Sequence, residues 1–153
     1  MNNITLAALL ALLTMSSEAF ADEIVVSGLY TKHIKTNSDT YNYNEGFLHN
    51  YGIGMNKTIL PEHSFGVGGI VYKDSYYKTA YSAYAYKEFA YKSDSIEAGV
   101  MLKVGYLNGS GYNSVVAIPS LYVRKDGYKL ETIVIPKTDK STGFVTVLVG
   151  KSF

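Results

Sequence analysis

From residue 22 onward the chain is a succession of short β-like runs separated by polar breaks, and this rhythm constrains the fold more than any other feature. The runs cover 24–34, 47–58, 64–73, 79–89, 95–107, 114–123, 128–135 and 143–153. Eight runs of about ten residues have the length that a tilted strand needs to cross a bilayer. Period-two alternation supports strands. In the last run Val145, Val147 and Val149 share one face with Phe153, while Thr146, Gly150 and Ser152 share the other. In the fourth, Ser82, Tyr84 and Tyr86 oppose Ala83, Ala85 and Lys87. The third is blurred by Gly66, Gly68 and Gly69, residues suited to tight packing or bends inside a small barrel. The expected fold is all-β, an eight-stranded antiparallel up-and-down transmembrane β-barrel over 22–153.

Composition agrees. The chain holds 15 tyrosines and no tryptophan, and an apolar ring with a polar tip suits both half-buried strands and a membrane–water boundary. A formal net charge of +1 provides no field for nucleic acid, and no nucleic-acid partner is expected. The absence of cysteine excludes a disulfide framework and cysteine-based metal sites. Residues 1–21 read as a secretory signal peptide. An apolar run from Ile4 to Met15 is followed by polar residues and by Ala19-Phe20-Ala21, a small-x-small cleavage site. That run is too short for a spanning helix. With Phe153 closing an amphipathic last strand, the leader and the strand count point to the outer membrane of a Gram-negative bacterium.

Topology then places the chemistry. An exported chain begins its first strand on the periplasmic side, so the first and third strands both end outside. His33 ends the first, and Asp74-Ser75 end the third. A histidine, a carboxylate and a hydroxyl at one rim are the ingredients of acyl transfer. Individually each is ordinary, since a strand-end histidine is usually solvated and Asp and Ser favour turns. Adjacent residues of an extended strand point to opposite faces, so Asp74 and Ser75 face one spot only if the chain turns there. Two routes stay open. Ser75 is acylated with His33 as base, or His33 deprotonates the acceptor hydroxyl while Ser75 or backbone amides hold the carbonyl oxygen. His49, at the start of the second run, is the rival base, and His63 lies at the opposite rim. Asp39 and Glu45 in the first loop and His49 just after it lack diagnostic metal spacing, and no metal or cofactor is expected. Lys32, Lys35, Lys73 and Lys78 flank the site, either solvated or placed to pair with phosphates at the outer leaflet.

These residues carry a resemblance. His33, the loop motif Tyr43-Asn44-Glu45, a glycine-rich strand, and Lys73-Asp74-Ser75 followed by Tyr76 and Lys78 resemble the lipid A palmitoyltransferase (PagP) family of Gram-negative outer membranes. Ile118-Pro119, Val134-Ile135-Pro136 and a closing strand ending in Phe153 extend the similarity over most of 22–153. The resemblance implies an eight-stranded barrel that works as a monomer. Its active site would face the cell surface and move a palmitoyl chain from the sn-1 position of a phospholipid donor to a lipid A acceptor. The family's essential residues fall on His33, Asp74 and Ser75. Pro119 and Pro136 match prolines that weaken pairing between the sixth and seventh strands and open a lateral path for lipid. Ala85, within Ala83-Tyr84-Ala85-Tyr86, is placed at the floor of the acyl-chain cavity. Departures are the lack of room for a helix before Ile24, the missing prolines near the first two strands, and tyrosine in place of tryptophan. Two further readings are a barrel of the same fold without enzymatic activity, serving adhesion or surface protection, and a soluble periplasmic barrel that binds an apolar ligand.

Overall fold

A computed structural model of the chain describes residues 22–34, 42–109, 111–136 and 143–153; the expected signal peptide at 1–21 lies outside them. The strands are β1 (Glu23–Ile34), β2 (Gly46–Phe47), β3 (Gly52–Leu60), β4 (Phe65–Lys73), β5 (Thr79–Lys92), β6 (Glu97–Gly109), β7 (Tyr112–Lys125), β8 (Tyr128–Ile135) and β9 (Gly143–Ser152). One 3-10 turn spans Pro61–His63. The β2 strand is a two-residue flap on the upper part of β1. The other eight strands pair antiparallel in chain order, and β9 returns to β1, which closes the barrel.

Alternation decides which residues face in. On β6 Met101, Lys103 and Leu107 are buried, while Val100, Leu102, Val104 and Tyr106, on the alternate face, are exposed. On β7 Ser120 and Tyr122 are buried and Leu121 and Val123 exposed. Ile53, Met55, Val67, Val71 and Leu130 extend this apolar outer surface round the barrel. Such a face is far larger than the isolated apolar residues of a soluble surface. Near its lower margin Lys151 Nζ lies 4.3 Å from the Tyr128 ring centroid, a polar head carried over an aromatic.

The interior has two layers. The lower is charged. Lys129 Nζ meets Glu23 Oε2 at 2.6 Å, Lys103 Nζ meets Glu131 Oε1 at 2.5 Å, and Asn56 Nδ2 donates to Glu23 Oε2 at 2.6 Å. Tyr84 Oη donates to Asn56 Oδ1 at 2.9 Å, which ties the top of this layer together. Two cations against two carboxylates leave it neutral, the condition for burying charge. Below, Arg124 bridges Glu88 and Glu97. The upper layer is apolar and holds the cavity described below.

Local sequence explains how bulky interior residues fit. Gly66 and Gly68 on β4 pair with Tyr86 and Tyr84 on β5. A Cβ at Gly68 would lie 2.2 Å from Asn56 Oδ1 and 2.8 Å from the Tyr84 ring, so the bare backbone makes room for the tyrosine. On β1 a bulge sits between Val26 and Tyr30, against Val149 and Val147 of β9, with Gly28 at φ 72. A left-handed residue bends the strand there, and glycine adopts it without strain. Below the bulge β1 pairs with β3, and above it with β2.

The second expected run, 47–58, is not one strand. Leu48 adopts φ 57, and the chain turns before β3 begins at Gly52. Asn50 Nδ2 donates to Lys73 O at 3.3 Å and Ser27 Oγ to Asn50 O at 3.2 Å, so the segment is pinned across the top of the wall instead of continuing it. At the lower rim Asp22 is a clamp. Its carboxylate takes Lys57 Nζ at 2.8 Å and the Thr58 N–H at 2.6 Å, and its carbonyl accepts the Phe153 N–H at 3.1 Å.

Candidate active site

His33 and Ser75 meet at the upper rim. His33 is the last inward-facing residue of β1, and Ser75 follows β4 in the turn to β5; both are buried. His33 Nε2 lies 2.7 Å from Ser75 Oγ. The other ring nitrogen, Nδ1, lies 3.1 Å from Glu45 Oε2, and the same oxygen accepts the His33 backbone N–H at 2.9 Å. An ionised Glu45 fixes the proton on Nδ1. Nε2 is then the acceptor, and the Ser75 hydroxyl donates to it. Serine, imidazole and carboxylate therefore stand in relay order, the arrangement that activates a serine for attack on an ester.

The support is local. Tyr43 stacks on His33 with centroids 4.4 Å apart and planes 16° from parallel, and Phe144 of β9 lies at 6.0 Å. Asn44 is buried; its amide donates to the carbonyls of His49 and Asp74, and its backbone N–H donates to Ser75 O at 3.0 Å. Lys32 Nζ lies 3.2 Å from Glu45 Oε1 and holds the carboxylate from the solvent side. The motif Tyr43-Asn44-Glu45 thus supplies the ring that backs the imidazole, the amide that joins loop to turn, and the acid that orients the base.

Asp74 has a different place from the one expected. The chain does turn here, and the turn separates the two neighbours. Asp74 Oδ1 accepts the backbone N–H groups of Tyr76 at 2.9 Å and Lys78 at 2.8 Å, the pattern of an Asx turn. Ser75 is left facing His33. The carboxylate that meets the imidazole is Glu45, twelve residues after the histidine. His49 is exposed, and His63 sits in the 3-10 turn at the opposite rim. The expected neighbour Asp39 lies outside the described residues, and Glu45 is held by Lys32 and His33.

Beneath Ser75 an elongated apolar cavity descends into the barrel. Ile70, Leu107, Val116, Ile118, Ile133 and Leu148 are among its walls, with Ser75 and Thr31 at its mouth and Tyr84 and Lys103 at its floor. The Lys103 ammonium lies 5.1 Å from the Tyr84 ring centroid, and the charged layer begins there. Ala85 is not at that floor. It pairs with Val67 and Val104, both exposed, so it belongs to the outer face while Tyr84 faces in. Period two forces this outcome, because a floor residue on β5 must share the face of Ser82 and Tyr84.

Among the described residues the wall beside the cavity is incompletely paired. Pairing of β7 with β8 runs from Lys125↔Tyr128 up to Ser120↔Ile133 and stops. Among the described residues, β7 above that point pairs only with β6, and β8 only with β9. Pro119 is the first residue past the last pair and has no N–H to donate; Pro136 follows the last residue of β8. Val116 and Ile118 on one margin of this slit and Ile133 and Ile135 on the other all line the cavity. The other wall junctions are paired or bridged among the described residues. Above Ser27↔Gly52, β2 and the segment around Asn50 cover the wall.

No protein-family model matches the chain, and no curated protein matches it significantly.

Proposed function

We propose that this chain is an outer-membrane acyltransferase that moves a palmitoyl-like chain from the sn-1 position of a phospholipid to lipid A, with its site facing the cell surface. The observation that carries the reading is the Ser75–His33–Glu45 relay at the mouth of an apolar cavity. The cavity suits a hydrocarbon chain, and its mouth puts the ester of that chain at the serine. The apolar outer surface suits a bilayer, and the slit at Pro119 joins bilayer and cavity. The family resemblance supplies the identity of donor and acceptor.

In this mechanism Ser75 Oγ attacks the ester carbonyl as His33 Nε2 takes its proton. The acyl–oxygen bond breaks, the lysophospholipid leaves with the proton from His33, and the chain is held on Ser75. The acceptor hydroxyl then attacks the acyl-serine, its proton passes to His33, and serine is restored. Glu45 keeps the tautomer and stabilises the imidazolium. The adjacent amide order of the Asp74 turn is structural in this scheme.

Mass spectrometry of lipid A from cells that express the chain tests the proposal. The natural sequence adds one acyl chain, and Ser75→Ala and His33→Ala, each assembled in the outer membrane, add none. A folded barrel that adds no chain, with lipid A available, would turn the assignment to a non-enzymatic surface barrel.

A further inference from the structure

We propose that a polar cup beside the relay seats the acceptor's phosphorylated sugar head group. This rests on the acyl-transfer reading above. The cup is lined by Asp74, Tyr76, Lys78, Asn108, Tyr112 and Asn113, where the β4–β5 and β6–β7 turns approach each other. Ser75 lines the apolar cavity, and its neighbour Asp74 lines the cup. The turn therefore divides two chemically opposite spaces at the position of the nucleophile. A reaction that passes a hydrocarbon chain to a hydroxyl on a polar carrier needs such a boundary: one side holds the chain, and the other presents the hydroxyl.

The lining selects the ligand. Lys78 makes no ion pair among the described residues, and Lys73, the last residue of β4, is outside the cup lining and donates to Thr79 Oγ1 at 3.3 Å. Of the four lysines flanking the site, Lys32 is committed to Glu45 and Lys35 lies outside the described residues, so Lys78 is the cation presented to this cup. An ammonium in a polar recess favours a phosphate. Tyr76 and Tyr112 add rings with polar tips, which pack on the faces of a sugar. Asn113 Oδ1 accepts both Asn108 Nδ2 and the Tyr106 hydroxyl, which sets its amide and leaves the N–H groups as donors toward ring hydroxyls. A phospholipid head group would use the lysine and little else. A phosphorylated hexosamine uses the lysine, the rings and the amides together.

Steady-state kinetics on the full chain in detergent micelles tests this, with variants checked for heat-modifiable migration. Lys78→Ala is expected to raise KM for bisphosphorylated lipid A at least tenfold more than KM for the dephosphorylated acceptor, and more than KM for the phospholipid donor. Lys78→Arg restores it. Asn113→Ala is expected to raise KM for both acceptors. Unchanged acceptor KM values in Lys78→Ala and Asn113→Ala would overturn the proposal. A rise confined to the phospholipid KM would also overturn it, by placing the donor's head group in the cup. A natural chain that cleaves no phospholipid ester would refute the acyl-transfer reading itself, which separates that failure from failure of the cup.

Discussion

Glu45 and Asp74 are both carboxylates at the upper rim, and their partners assign them different work. Glu45 faces the imidazole. Glu45→Gln leaves a hydrogen-bonding group of the same size but removes the charge that fixes the tautomer, and turnover should fall by about 10²–10⁴-fold with the barrel intact. Asp74 Oδ1 caps a turn, and an asparagine oxygen can accept the same two N–H groups. Asp74→Asn should therefore keep phospholipid hydrolysis, measured without acceptor, within about an order of magnitude of the natural rate. Equal losses in the two variants would contradict this division. At the lower rim the Lys57 ammonium holds the Asp22 carboxyl below its ordinary value of 3.8. A depressed folded-state value stabilises the barrel above the unfolded value and stops doing so as pH falls through the folded one. The difference in urea midpoint between the natural chain and Asp22→Asn should accordingly be present at neutral pH and shrink below about pH 4.

At the scale of elements, two junctions shape the site. The β7–β8 gap in pairing is the lateral path for lipid in the proposed reading, and the register below it puts Pro119 opposite Val134. A disulfide between Pro119→Cys and Val134→Cys should stop transfer when oxidised and release it on reduction; oxidation without effect would show that lipid takes another path. The β4–β5 junction depends on bare backbone beneath Tyr84. Gly68→Val should drive the ring and Asn56 off their positions and lower stability by about 1–3 kcal/mol, read from denaturant midpoints. The alternation of β5 and β9 was legible in sequence because period two survives wherever an apolar outer face meets a mixed interior. The break in the second run was not. Leu48-His49-Asn50 has no proline or glycine to announce a turn, and what stops the strand is the bonding of Asn50 to Ser27 and Lys73, far away in sequence.

At the scale of the whole molecule, closure of eight strands brings His33 and Ser75 together, and parity along the chain was enough to foresee that they share a rim. The identity of the acid was not foreseeable from parity. Glu45 immediately precedes the β2 flap, whose pairing with β1 is a tertiary contact, and a separation of twelve residues in sequence fixes no direction. The same closure buries Lys103, Lys129, Glu23 and Glu131 in one layer. Lys103→Met leaves Glu131 with Lys129 alone, at 3.8 Å, and should lower the unfolding free energy by about 3–5 kcal/mol. That layer also ends the cavity, so Tyr84→Ala should shift the preferred acyl chain to greater length, whereas Ala85→Gly on the outer face should not. The most direct test of the relay is covalent. A lipid-like fluorophosphonate should label the folded barrel at Ser75, located by peptide mass spectrometry, and His33→Ala should slow labelling by about two orders of magnitude or more. Labelling of Ser75 at an equal rate in His33→Ala, or none at Ser75 in the natural chain, would contradict a serine activated by His33 at the mouth of an acyl cavity.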